Sequence, residues 1–176
     1  MKNKNEYFAD EQEKQGFINL NDFNNHYLHI QELGKTPKKT HYDASGFTTD
    51  GRPIEIEYKI RNQVLINENT ISGRSKDNAS YIASTIYIET HKVGSLMLDY
   101  LIYKTIPLYV NFLQDDTVVV FNLSMLKTRP KTVIKKIWST LYNAFELSKR
   151  EELKLDDAYI YKKQDDNKYV LIKKPQ

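Results

Sequence analysis

Apolar and polar positions alternate most strictly over Pro53-Ile54-Glu55-Ile56-Glu57-Tyr58-Lys59-Ile60-Arg61. A strand sends successive side chains to opposite faces. Ile54, Ile56, Tyr58 and Ile60 therefore share one face, and Glu55, Glu57, Lys59 and Arg61 the other. Asp50-Gly51 just upstream is a turn dipeptide, so the pattern predicts a β-hairpin whose first strand runs from about Asp43. Elsewhere the period changes. Leu20, Phe23, Tyr27 and Ile30 recur at helical spacing, predicting a helix from Asn19 that Asn21 or Asp22 caps and Gly34 ends. Residues 1–16 are polar and read as loose or weakly helical, and 62–78 read as a mobile loop around Val64-Leu65-Ile66. Residues 84–90 are β-branched and aromatic, a third strand. Val93, Leu96, Met97, Tyr100 and Leu101 predict an amphipathic helix ending before Pro107. Residues 108–112 and 117–121 predict two strands about a turn at Asp115-Asp116. Ile134, Ile137, Trp138, Leu141 and Phe145 form a helical stripe with Pro130 near its start. Two short strands, near 159–161 and 169–172, close the chain around Asp165-Asp166-Asn167.

The 176 residues, 40% hydrophobic and 28% charged, suit a single α/β (α+β) domain spanning 1–176, with 130–176 adding a helix and a hairpin to its core. The absence of cysteine excludes disulfides and thiolate metal sites. No apolar run is long enough to span a bilayer and the first residues lack a signal-peptide core, so a cytoplasmic protein is expected. Net charge is only +3, but its distribution is uneven. Lys35, Lys38 and Lys39 precede the hairpin, Arg74 and Lys76 follow it, and Lys127, Arg129, Lys131, Lys135 and Lys136 have no acid among them. Such clusters are either solvated faces or contacts to nucleic-acid phosphates.

The polar face of the hairpin carries the chemistry. Hydrolysis of a phosphodiester calls for a divalent ion, and Mg²⁺ takes two or three carboxylates with water in its remaining positions. Asp43 and Glu57 can supply that pair, Glu55 could replace Glu57, and the Tyr58 carbonyl could add a ligand. Lys59 falls on the Glu57 face and can orient or deprotonate water, or steady charge on the phosphate. A two-residue turn at Asp50-Gly51 would put Asp43 opposite Tyr58, on the wrong face. Asp43 joins Glu57 only through an odd loop or a β-bulge, and a bulge at Gly46 is expected. The competing reading is a solvated face whose ion pairs contribute little. His26 and His29 lack a carboxylate at ligand spacing, and no Gly-rich phosphate loop or nucleophile elbow occurs.

Asp43 followed at a distance by Glu57-Tyr58-Lys59 resembles the PD-(D/E)XK nuclease superfamily, and the order helix, three strands, helix, strand is similar to its α-β-β-β-α-β core. Ile86-Tyr87-Ile88-Glu89, Lys92, Leu96 and the paired apolar runs at 109–112 and 118–123 look like small phage-type members. The resemblance covers roughly the central half of the chain. It implies a restriction-endonuclease-like fold, with a central mixed sheet flanked by helices. It also implies an enzyme that cuts DNA with Mg²⁺ or Mn²⁺ held by Asp43 and Glu57, with Lys59 catalytic. Lys35, Lys38, Lys39, Arg61, Lys127, Arg129 and Lys131 would contact the nucleic-acid backbone. The family often adds a Glu from its first helix, for which Glu32 is the nearest candidate, ahead of Glu11 and Glu13. Many such enzymes act as homodimers. The alternative is a catalytically inactive member that binds DNA or a protein. The chain departs from the pattern at His41-Tyr42, where the eponymous proline would precede Asp43.

Overall fold

Strand β3 (Pro53–Ile60) is covered on both faces, which explains its alternation: one face is apolar and the other charged, yet five successive residues, Ile54 to Tyr58, are buried. The computed structural model of the chain describes residues 4–37, 40–74, 79–139 and 144–176. Along it run α1 (Lys4–Phe23), β1 (Gln31–Lys35), β2 (Ala44–Phe47), β3, β4 (Gln63–Asn67), β5 (Thr70–Arg74), β6 (Ser80–Ala83), β7 (Thr85–Glu89), α2 (Thr90–Tyr103), β8 (Ile106–Phe112), β9 (Thr117–Asn122), β10 (Lys131–Ser139), β11 (Ala144–Lys154), β12 (Tyr159–Lys163) and β13 (Tyr169–Lys173). Among the described residues, a mixed sheet has the order β1-β2-β3-β8-β9-β12-β13, and two three-stranded sheets have the orders β10-β11-β7 and β4-β5-β6. Strand β3 runs parallel to β8 and antiparallel to β2.

The parallel pair needs a long crossover, and the chain between β3 and β8 supplies it with β4–β7 and α2. Helix α1 closes one face of the large sheet, where Leu20 and Phe23 pack on Ile54, Ile56, Tyr58, Val110 and Val120. Helix α2 and the β10-β11-β7 sheet close the other, where Leu96, Ile86, Ile88 and Leu153 meet Tyr109, Val119, Phe121 and Ile160. Each fully buried large apolar side chain contributes roughly 1.5–3 kcal/mol. Asp22 pins α1 across the sheet, accepting from Lys163 Nζ at 2.7 Å and from the Tyr169 hydroxyl at 2.9 Å. No described helix is long and apolar enough to cross a membrane.

Five expectations are corrected. The first helix begins at Lys4, inside the segment read as loose or weakly helical, rather than at Asn19. It runs through a π-helical turn to Leu28 and ends at His29, which takes a left-handed conformation. Gly34 lies instead in β1. The segment read as a mobile loop forms β4 and β5 and leads to β6, with Ile71 fully buried as its anchor. The stripe read as a helix after Pro130 is the β10–β11 hairpin, in register from Lys131↔Glu152 to Ser139↔Ala144. The run Thr132-Val133-Ile134 is β-branched, which favours strand over helix; Leu141 of that stripe lies outside the described residues. The strand before α2, β7, pairs with β11 rather than joining the large sheet.

The fifth correction concerns Gly46. No bulge interrupts β2–β3, where Ala44↔Ile56, Ser45↔Glu55 and Gly46↔Ile54 follow without a shift. The irregularity lies one strand out, in β1 between Gln31 and Gly34, where Glu32 has a φ of 53°. Gly46 serves a close approach instead: a Cβ there would stand 2.7 Å from the Gln31 carbonyl oxygen. We therefore expect Gly46→Ala to lower stability by about 1–3 kcal/mol, as overpacking does. Urea titration checks it, and an unchanged midpoint would mean that β1 does not lie against Gly46.

Candidate metal-binding and catalytic site

The loop between β2 and β3, residues 48–52, has an odd count, and this sets the site. Thr48 N–H donates to Arg52 O at 2.8 Å and Gly51 N–H to Thr48 O at 2.9 Å, with Gly51 at a φ of 79°. Just beyond the last register pair, Ala44↔Ile56, Asp43 leaves the regular ladder and its side chain is held between Tyr58 and Lys92. Asp43 is fixed there by its backbone and its side chain. Its N–H donates to Ile56 O at 2.9 Å, and its Oδ2 accepts from Tyr58 N–H at 3.1 Å. N–H and C=O of one strand residue point to the same neighbour, so the Tyr58 carbonyl also faces the Asp43 side.

Glu57 is wholly buried. Its Oε2 accepts from Lys92 Nζ at 2.7 Å, its Oε1 lies 3.3 Å from Lys59 Nζ, and Lys92 Nζ is also 4.0 Å from Asp43 Oδ1. Burial pushes the Glu57 carboxyl up to about 7, Lys59 and Lys92 pulling it down and Asp43 adding to the rise. For Lys59, burial pulls the other way but the charges of Glu57 and Glu89 outweigh it, so its pKa lies above the ordinary lysine value. Lys59 is thus charged at neutral pH, which suits it to stabilise a phosphate rather than to deprotonate water.

From the sequence, Lys92 and Glu89 could touch the metal or substrate, but that reading stands second to solvation at the helix start, because proximity across a crossover leaves no local pattern. Glu89 is the last residue of β7, and although burial raises its pKa, Lys59, Arg150, a backbone hydrogen bond and Arg61 together hold it below the ordinary value. Arg150 Nη2 stands 3.0 Å from Glu89 Oε1. Around Glu57 the acids Asp43, Glu57 and Glu89 thus face Lys59, Lys92, Arg150 and Arg61.

The other expected residues divide. Glu55 is buried beside Asp99 of α2, away from the Lys59 pair; burial, then the Asp99 charge and their hydrogen bond, push its carboxyl up to about 7. Glu32 is exposed on β1 and is not on the first helix. The helix-borne acid at the site is Glu13: it lines a cleft of about 280 Å³ with Tyr42, Asp43 and Lys92, and another of about 260 Å³ with Asp43, Tyr58 and Lys59. Glu13 Oε1 pairs with Lys35 at 2.8 Å, so Lys35 lies beside the cleft. Arg61 turns inward, donating to Asn111 Oδ1 at 2.8 Å, to Tyr87 O at 2.6 Å and to the Tyr109 hydroxyl. Lys127, Arg129 and Lys131 are exposed, while Lys38 and Lys39 lie outside the described residues.

No group of three or more His, Asp or Glu able to hold a metal together occurs among the described residues. The donor set around Asp43 and Glu57 is two hard carboxylates, and Glu57 Oε1 is buried without a hydrogen-bond partner. That set fits Mg²⁺ or Mn²⁺, which keep several waters, provided the Lys92 ammonium withdraws. Comparison with family models, with characterised proteins and with solved structures finds no match to this chain.

The raised Glu55 carboxyl has a stability consequence. The folded state binds the proton more tightly than the unfolded one, so this contribution is complete below about 4.5 and is lost as pH rises toward 7. Glu55→Gln should flatten the fall in Tm between pH 5 and 7.5. An equally steep fall in wild type and variant, by thermal melts across that range, would remove Glu55 as its source.

Proposed function

We propose that the protein is a metal-dependent nuclease that hydrolyses phosphodiester bonds in DNA, built on a restriction-endonuclease-like core. The observation that carries this reading is the convergence of Asp43 and Glu57 on one ammonium, with a second, Lys59, 3.3 Å from the same buried carboxylate. Two carboxylates beside a charged lysine, at the mouth of a cleft, form the constellation that phosphodiester hydrolysis requires.

In this reading Asp43 and Glu57 would hold Mg²⁺ or Mn²⁺, and the Tyr58 carbonyl could add a further ligand. When bound, the ion polarises a phosphoryl oxygen and lowers the pKa of a water. Lys59 stays protonated and stabilises the charge that accumulates on the phosphate oxygens. Glu89, itself held by Arg150, helps keep Lys59 charged and in place, while Lys35, Lys127, Arg129 and Lys131 are available to the DNA backbone. Water then adds to phosphorus, the ester P–O bond breaks, and the leaving oxygen takes a proton.

A second reading has its own support. Lys92 already supplies a cation between Asp43 and Glu57, so the acids are compensated without a metal. That arrangement also suits a silent member that binds DNA or a protein.

Cleavage of plasmid, linear duplex and single-stranded DNA separates them. Wild type should cut with Mg²⁺ or Mn²⁺, and Lys59→Ala should lose about 10²–10³-fold, the usual consequence of removing one charge-stabilising donor. Absence of metal-dependent cutting by well-folded wild type on every substrate would favour the silent binder. A further expectation concerns pH: ion binding requires the Glu57 carboxylate, so the cleavage rate should rise with pH and level off above about 7. A rate that is flat from pH 5.5 to 8 would contradict a role for Glu57 deprotonation.

A further inference from the structure

The Lys92 ammonium holds the position that the ion needs. It is 2.7 Å from Glu57 Oε2 and 4.0 Å from Asp43 Oδ1, with only 20% of the side chain exposed. Magnesium sits roughly 2.0–2.1 Å from its oxygen ligands, so an ion shared by these two carboxylates cannot coexist with an ammonium already seated between them. The charge balance leads to the same conclusion. The acids Asp43, Glu57 and Glu89 are already matched by Lys59, Lys92, Arg150 and Arg61, so a divalent ion alone would add positive charge that nothing there offsets.

An arriving phosphodiester resolves both conflicts. Its negative charge offsets part of the ion's charge, and its oxygens offer the Lys92 ammonium a new partner. Lys92 stands in the first turn of α2, whose N-cap residue, Glu89, makes no side-chain capping hydrogen bond. The first-turn N–H groups of a helix have no intrahelical partner, which favours an anion near this end of α2.

We infer that Lys92 is a resident cation that keeps the divalent ion out until a nucleic-acid phosphate draws it away, so that metal and nucleic acid bind with positive coupling through this one side chain. The inference rests on the metal-dependent nuclease reading of the same site. By linkage, each ligand must raise the affinity for the other by the same factor.

The test is a titration of the full chain with Mn²⁺, following the free ion by electron paramagnetic resonance, with and without a short hydrolysis-resistant phosphorothioate duplex. Mn²⁺ held by the oligonucleotide alone is subtracted. Wild type should bind Mn²⁺ weakly alone and on the order of tenfold more tightly with the duplex, a typical coupling. Lys92→Met should bind Mn²⁺ on the order of tenfold more tightly than wild type without the duplex, and gain little from adding it. Lys92→Arg, which retains the charge, should behave as wild type. If thermal melting shows Lys92→Met unfolded, Lys92→Gln takes its place as the neutral variant. Equal Mn²⁺ affinity in wild type and neutral variant, both without the duplex, overturns the role of Lys92 and leaves the nuclease reading standing. Failure of every protein to bind Mn²⁺, with or without the duplex, removes the metal reading and this inference together.

Discussion

The structure depends on the complete burial of one carboxylate, Glu57, in the middle of a sheet. A buried carboxylate is tolerated only with charged or hydrogen-bonding partners, since desolvation otherwise outweighs any gain from packing. Glu57 has two, Lys59 on its own strand and Lys92 from α2, and both positions follow from the topology. The parallel β3–β8 pair forces the chain through a long crossover, and that crossover ends in the helix that delivers Lys92. The charged face of β3 is therefore a second core rather than a solvated surface.

This polar core extends beyond the acids. Arg61 is tied to Asn111, Tyr109 and Tyr87, and the Tyr109 hydroxyl donates to Tyr87 O at 2.9 Å, joining β3 and β8 to β7. Glu89 and Arg150 carry the connection on to β11. The β10-β11-β7 sheet thus acts as a buttress that sets where Lys59 meets its acids. Apolar anchoring of α2 is slight by comparison: Leu96 is its one fully buried residue, while Leu98, Leu101 and Ile102 are exposed. Electrostatics at its first turn therefore carries much of its placement.

The legible parts of the fold were those with local causes. Alternation in β3, the turns at Asp50-Gly51 and Asp115-Asp116, and the stripe on α2 all reflect side-chain periodicity and backbone preference. The approach of Asp43 to the Glu57 side was also readable, as a choice between an odd loop and a bulge; the five residues 48–52 give the odd loop that pairs Ala44 with Ile56, next to Asp43. What was not legible depended on contacts distant in sequence. Helix α1 is polar over much of its length, and among its described side chains Phe17, Leu20 and Phe23 near its end pack on the sheet, so the sequence shows its periodicity late. The spacing of Ile134 and Phe145 suits a helix, yet their segments pair as strands, and period alone does not arbitrate between the two. Lys92 and Glu89 reach Glu57 and Lys59 from 35 and 30 residues away in the chain.

The most direct test of the shared cation seat is crystallographic. A crystal grown with Mn²⁺ and a phosphorothioate oligonucleotide, measured at the manganese absorption edge, should show an anomalous peak between Asp43 and Glu57, with the Lys92 side chain turned toward a phosphate. Lys92 still seated on Glu57, with no anomalous density between the two carboxylates, would contradict it.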